Sequence, residues 1–170
     1  GTPAGSTGGF TINAGHDGTA GGGGQILDSG AGLLNMAGTV SLKAYGNIGT
    51  SAVAPIHVGA VTSLATSSET GDIYVSANGP LVVGGVNNDA LGWIRNATGS
   101  IYYASLGAIT QTGPIYVGSL HADVLGAGGI TLQNSLNAVD NIYLSAPSAL
   151  AFAQPGSYTV VQATGNGLDF

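Results

Sequence analysis

Gly71-Asp72-Ile73-Tyr74-Val75-Ser76 and Gly99-Ser100-Ile101-Tyr102-Tyr103 are two copies of one phrase, and its recurrence decides the fold. In each copy two inward candidates stand two residues apart, Ile73 with Val75 and Ile101 with Tyr103, so they point to one face of an extended strand. The residue between them points the other way. Related phrases are Gly38-Thr39-Val40-Ser41-Leu42, Pro55-Ile56-His57-Val58, Gly113-Pro114-Ile115-Tyr116-Val117, Gly129-Ile130-Thr131-Leu132 and Asn141-Ile142-Tyr143-Leu144-Ser145. Their middle positions are Ser, His, Tyr or Thr, and most are preceded by Gly, Asn or another turn-forming residue. No long Gly-free stretch carries apolar residues at helical spacing, and Glu69 is the only glutamate.

Repetition of this kind points to a repeat architecture. Ile73, Ile101 and Ile130 fall 28 and 29 residues apart, and Ile115 divides the second interval into 14 and 15. One strand and one turn fill the shorter interval, and two or three such units would close a coil. The expected fold is therefore all-β, a right-handed parallel β-helix (β-solenoid) forming a single elongated domain. A sandwich would reverse through tight hairpins, and Asn78-Gly79 is the one strong hairpin signal. Coils of about 20–30 residues with strands about 4.8 Å apart give a rod on the order of 30–40 Å long. Within the single domain 1–170, residues 1–37 are less regular and Gly-rich, 38–145 form the best repeat region, and 146–170 read as a terminal coil or cap.

The chain has 170 residues, 44% of them apolar and 6% charged, with 31 Gly. Charged residues make up about 25% of ordinary soluble domains, so the surface must be built from Gly, Ser, Thr and Asn. Disordered chains are poor in β-branched and aromatic residues, whereas Val, Ile, Leu and Tyr recur here throughout. Lys43 and Arg95 stand against eight acidic residues, for a net charge of −6. Two cations cannot neutralise a row of phosphates or anchor the chain to an anionic bilayer, so neither nucleic acid nor membrane insertion is expected. With no Cys, disulfides and thiolate metal sites are absent. The opening Gly1-Thr2-Pro3-Ala4-Gly5 has neither Met nor a signal peptide and reads as an excised or processed piece of a longer chain.

The most specific surface feature is a row of tyrosines, Tyr74, Tyr102, Tyr116 and Tyr143, each directly after an Ile. Stacked from coil to coil, neighbouring rings would contribute about 0.5–1.5 kcal/mol beyond the area they bury. The same row could serve as a contact platform for sugars or for a neighbouring rod, since tyrosine is enriched at interfaces. Asn96-Ala97-Thr98 is the one N-x-[ST] sequon, which makes Asn96 the candidate glycosylation site. His57 takes an outward strand position, while His16 and His121 are expected near turns beside Asp17 and Asp123. Metal ligands must converge to about 2 Å, and neither these histidines nor the isolated Asp28, Asp72, Asp89, Asp123, Asp140 and Asp169 show convergence. No catalytic pair, metal or cofactor is expected. Gly23-Gly24 followed by Asp28 does not repeat as a calcium nonapeptide does, and Gly21 to Gly24 lack the Lys-Ser/Thr of a phosphate loop. Thr110-Gln111-Thr112 has no aligned second copy, unlike the Thr rows of ice-binding solenoids.

Asn47-Ile48-Gly49-Thr50, the Pro55-Ile56-His57-Val58 strand, Ser63-Leu64-Ala65-Thr66, Gly71-Asp72-Ile73-Tyr74-Val75 and the run Gly79 to Val86 together resemble repeats of filamentous-haemagglutinin-like exoproteins. The resemblance covers roughly Val40 to Ser145. It implies an internal β-helix shaft segment of a large adhesin exported by two-partner secretion, and hence an extracellular or bacterial cell-surface location. It further implies a non-catalytic structural or adhesive role, with copies of the chain itself, end to end or side by side, and surface glycans as candidate partners. A carbohydrate-binding or polysaccharide-degrading module and an ice-binding face are the alternatives.

Overall fold

The computed structural model describes residues 10–15, 23–28, 32–35, 38–59, 61–86 and 96–169. These residues form strands and turns, with no helix among them. The first strands are β1 (Phe10–Ala14), β2 (Leu33–Leu34), β3 (Thr39–Ala44), β4 (Ile56–Val58) and β5 (Ser63–Ser68). Next come β6 (Ile73–Ala77), β7 (Leu81–Val86), β8 (Asn96–Ser105), β9 (Ile109–Gln111) and β10 (Tyr116–Val124). The last are β11 (Ile130–Leu132), β12 (Ala138–Ser145), β13 (Leu150–Phe152), β14 (Thr159–Thr164) and β15 (Leu168–Asp169).

Odd-numbered strands lie side by side in one eight-stranded sheet, and even-numbered strands form a seven-stranded sheet. Every pairing between these strands is parallel. A chain that alternates between two parallel sheets and advances one strand at each return is a β-solenoid with two strands per coil. That resolves the choice between two and three strands that the spacing left open.

The register also shows which sequence intervals are coils. Ile73 lies beside Ile101, as the 28-residue step implies, but Ile101 lies beside Leu120 and Leu120 beside Ile142. Ile130 belongs to the opposite sheet, between Ile109 and Leu150. Only strand register is fixed by stacking, while the corners vary freely in length. Spacings of 14 and 15 residues therefore arose from unequal coils. Asn78-Gly79 is likewise a corner, since it joins β6 to β7, which lie in different sheets.

Alternation sets the core. Along the even-numbered sheet, one inward column runs Ile73, Ile101, Leu120, Ile142, and the next runs Ile56, Val75, Tyr103, Ala122, Leu144. All nine side chains are 4% exposed or less. The bulky Tyr103 has the small Ala122 and Val75 as column neighbours, which keeps the volume between sheets even. From the facing sheet come Val40, Leu42, Leu64, Leu81, Val83, Ile109, Ile130, Leu132, Leu150 and Phe152, all buried. At about 1.5–3 kcal/mol per fully buried aliphatic side chain, this continuous column is the main stabilising term.

Polar groups inside the rod are paired. The Thr66 and Tyr103 hydroxyls meet at 2.7 Å across the core, joining the two sheets. Asn137, only 2% exposed, donates to the carbonyls of Leu132 at 3.2 Å and Ala153 at 3.0 Å. Its own oxygen accepts the Ile115 N–H at 3.0 Å, so one side chain ties successive corners together. At Gly49, where φ is +79°, a Cβ would stand 2.6 Å from the Tyr74 carbonyl oxygen, so a side chain is excluded there.

Candidate functional site

The outward face of the even-numbered sheet carries three parallel rows of side chains. Ser100, Ser119, Asn141 and Thr159 form the first, and Tyr74, Tyr102, His121, Tyr143 and Gln162 the second. The third is His57, Ser76, Ala104, Asp123, Ser145 and Thr164. Neighbouring strands are about 4.8 Å apart, which is close to the stacking distance of flat rings. The middle row uses this match. Tyr74 and Tyr102 stack at 4.8 Å with planes 13° apart, Tyr102 and His121 at 4.3 Å and 15°, and His121 and Tyr143 at 4.0 Å and 7°.

Three of the four tyrosines expected in the ladder are in it. Tyr116 is not: it lies five residues before His121 on the same strand, beside Ala138. The coil from β8 to β10 is longer than the interval from Ile101 to Ile115, and a register shift between Val117 and Ser119 separates Tyr116 further from the row. His121 takes the vacant rung. The sequence places it near a turn, yet it sits within β10, where Leu120, Ala122 and Val124 are buried and His121 and Asp123 point outward. That alternation is legible in Gly118-Ser119-Leu120-His121-Ala122, which has the form of Gly99-Ser100-Ile101-Tyr102-Tyr103, but the Ile115-Tyr116-Val117 phrase just before it competes for the same reading.

Hydrogen bonds fasten the first rung. The Tyr74 hydroxyl donates to Asp72 at 3.1 Å, and the other Asp72 carboxylate oxygen accepts the Ser100 N–H of the next coil at 2.8 Å. Burial, reinforced by the Asp72 charge and hydrogen bond, pushes the Tyr74 phenol up to about 12. Burial holds the His121 imidazole below the ordinary histidine value, with Asp123 pulling the other way. Asp123 is raised, again by burial first, with His121 opposing.

Beside the ladder runs a cleft of about 330 Å³, whose lining includes His57, Ser76, Tyr102, Ala104, His121 and Asp123. The small Ser76 and Ala104 lie in the third row between His57 and Asp123, so a notch opens there. A second cleft of about 240 Å³ is lined by Ile12, Ile26, Leu33, Leu34 and Ile56, with the Asp28–His57 pair, 3.4 Å apart, among its lining residues. Among the described residues no three His, Cys, Asp or Glu side chains come together as metal ligands would.

The arrangement limits what the ladder can bind. A sugar stacks on the face of an aromatic ring, and both faces of Tyr102 and His121 are covered by their neighbours. These rungs present only ring edges and polar atoms. On the odd-numbered sheet, Thr110 does have an aligned partner, Thr131, and both are exposed. Val82 and Ala151 flank them in the same row, so the pair is not extended. Asn96 opens β8, but its side chain lies outside the described residues, as do His16, Asp17, Asp89 and Arg95. No family model matches the chain, and no curated protein or solved structure matches it.

Proposed function

We propose that this chain is a non-catalytic shaft segment of a secreted bacterial surface exoprotein, of the kind filamentous-haemagglutinin-like adhesins resemble. The observation that carries this reading is the ladder: the most conspicuous outward side chains are stacked on one another from coil to coil. Ring faces that could hold a ligand instead bind the next coil, so the surface rows reinforce the same axis as the core. A stack of parallel strands with few charges suits length and display, and its ends suit pairing with further coils or with copies of the same chain.

Antibodies raised against this chain, used in electron microscopy of the cells that make the parent protein, test the proposal. Decoration along slender structures outside the cell is the expected result. Label confined to the interior would contradict it. The cleft beside Tyr102 supports a second reading, a carbohydrate-binding module. Saturable retention of the chain on one glycan, lost in Asp123→Asn, would favour that reading over a purely mechanical role.

A further inference from the structure

The stacked row contains one ring that can change its charge near neutral pH. His121 lies between Tyr102 on β8 and Tyr143 on β12, with ring centroids at 4.3 and 4.0 Å and nearly parallel planes. On its own strand the nearest ionisable neighbour is Asp123, which points to the same face two residues on. His57 on β4 lines the same cleft, and its Nδ1 is engaged with Asp28 at 3.4 Å. Asp140 on β12 is exposed and lies three residues ahead of Tyr143. Tyr102 and Tyr143 are the only titratable groups whose rings cover the imidazole among the described residues.

We propose that His121 is an acid-sensitive rung: the neutral imidazole closes the aromatic ladder, and protonation in mild acid loosens it between β8 and β12. The physical reason is hydration. The charged ring draws on water over its whole surface, and the rings of Tyr102 and Tyr143 exclude water from both faces, so the imidazolium gives up more hydration in the stack than the neutral imidazole does. The nearby Asp123 carboxylate supplies partial compensation, yet it is exposed, and its own value is raised, by burial first. The lowered value of His121 agrees with this order of effects, burial first and Asp123 second.

Because the folded value lies below the unfolded one, the unfolded chain takes up the proton first as pH falls. The contribution of the neutral rung to stability is thus full above about pH 6.5 and is lost as pH falls below that value. The sheets beneath need not open, since the core columns carry no histidine. The outcome would be a surface whose aromatic face is locked at neutral pH and released in mild acid, inside an intact rod.

Proton and carbon NMR of the intact chain tests this, with the His121 ring followed between pH 8 and 4. The expected result is a His121 midpoint below that of a free histidine. The Tyr102 and Tyr143 ring signals should shift with the same midpoint, and the backbone signals of Ile101, Leu120 and Ile142 should stay in place. In His121→Phe the two tyrosines should no longer respond to pH, whereas His57→Asn should leave their response unchanged. A His121 midpoint above the free value would overturn the proposal, because the attraction of a cation for two ring faces would then outweigh lost hydration. Tyrosine signals that do not follow His121 in the wild-type chain would overturn it as well, without reliance on any variant.

Discussion

The hydrogen bond between Thr66 and Tyr103 offers a sharp test of how the two sheets are joined. Both residues are almost fully inaccessible, at 2% and 1% exposure, and their hydroxyls meet at 2.7 Å. Tyr103→Phe removes one oxygen and leaves the Thr66 hydroxyl unpaired in the core, at a cost of about 1–3 kcal/mol. Thr66→Val keeps the shape and strands the phenol instead, with a similar cost. The double variant strands nothing, so its loss should fall well short of the sum, with a coupling of about 1–2 kcal/mol. A loss near 2 kcal/mol lowers the urea midpoint by about 1 M at an m-value of about 2 kcal/mol/M. Urea titrations of the four proteins, followed by far-UV circular dichroism at neutral pH, measure all the terms. If the double variant lost the full sum, or if Tyr103→Phe moved nothing, the two hydroxyls would not be partners and the facing of β5 and β8 would be wrong.

Other perturbations have equally definite outcomes. Tyr102→Leu keeps apolar bulk but removes two ring contacts, with Tyr74 and His121, and should cost about 1–3 kcal/mol by urea denaturation. Asn137→Ala orphans the Ile115 N–H and takes a donor from the Ala153 carbonyl, while the Leu132 carbonyl keeps the Ala153 N–H, and it should cost about 1–3 kcal/mol with faster amide exchange at Ile115. In alkali, Tyr74, pushed up to about 12, and the fully buried Tyr103, pushed higher still, keep their protons after unfolded tyrosines lose theirs near 10.0. Stability should be full below that pH and fall as pH rises beyond it, so phenolate absorbance from Tyr103 should appear only as circular dichroism is lost.

Much of the fold is legible in the sequence because a period of two is a strong signal. Ile73 with Val75 and Ile142 with Leu144 announce strands, and Gly71 before the first marks a corner, whereas Asn141 before the second lies inside β12. Coil length is less legible. It depends on corners whose size does not affect the register, so the near-equal spacing of Ile101, Ile115 and Ile130 suggests a regularity that the stacking does not have. The ladder shows the same limit. Tyr74, Tyr102 and Tyr143 follow from alternation alone, but choosing between Tyr116 and His121 requires knowing where β10 meets β8. Thr66 and Tyr103 could not be paired from sequence, because contact across the core depends on how two sheets face each other rather than on any local pattern.

The register that stacks Tyr74, Tyr102, His121 and Tyr143 underlies both the two-strand coil and the proposed shaft role. Nuclear Overhauser contacts among the aromatic ring protons of the intact chain measure it directly. The Tyr102 ring should show contacts to both Tyr74 and His121, and His121 should show contacts to Tyr143. Contacts from Tyr102 to Tyr116 in place of His121 would contradict the structure, since they require a coil closed by the shorter interval from Ile101 to Ile115.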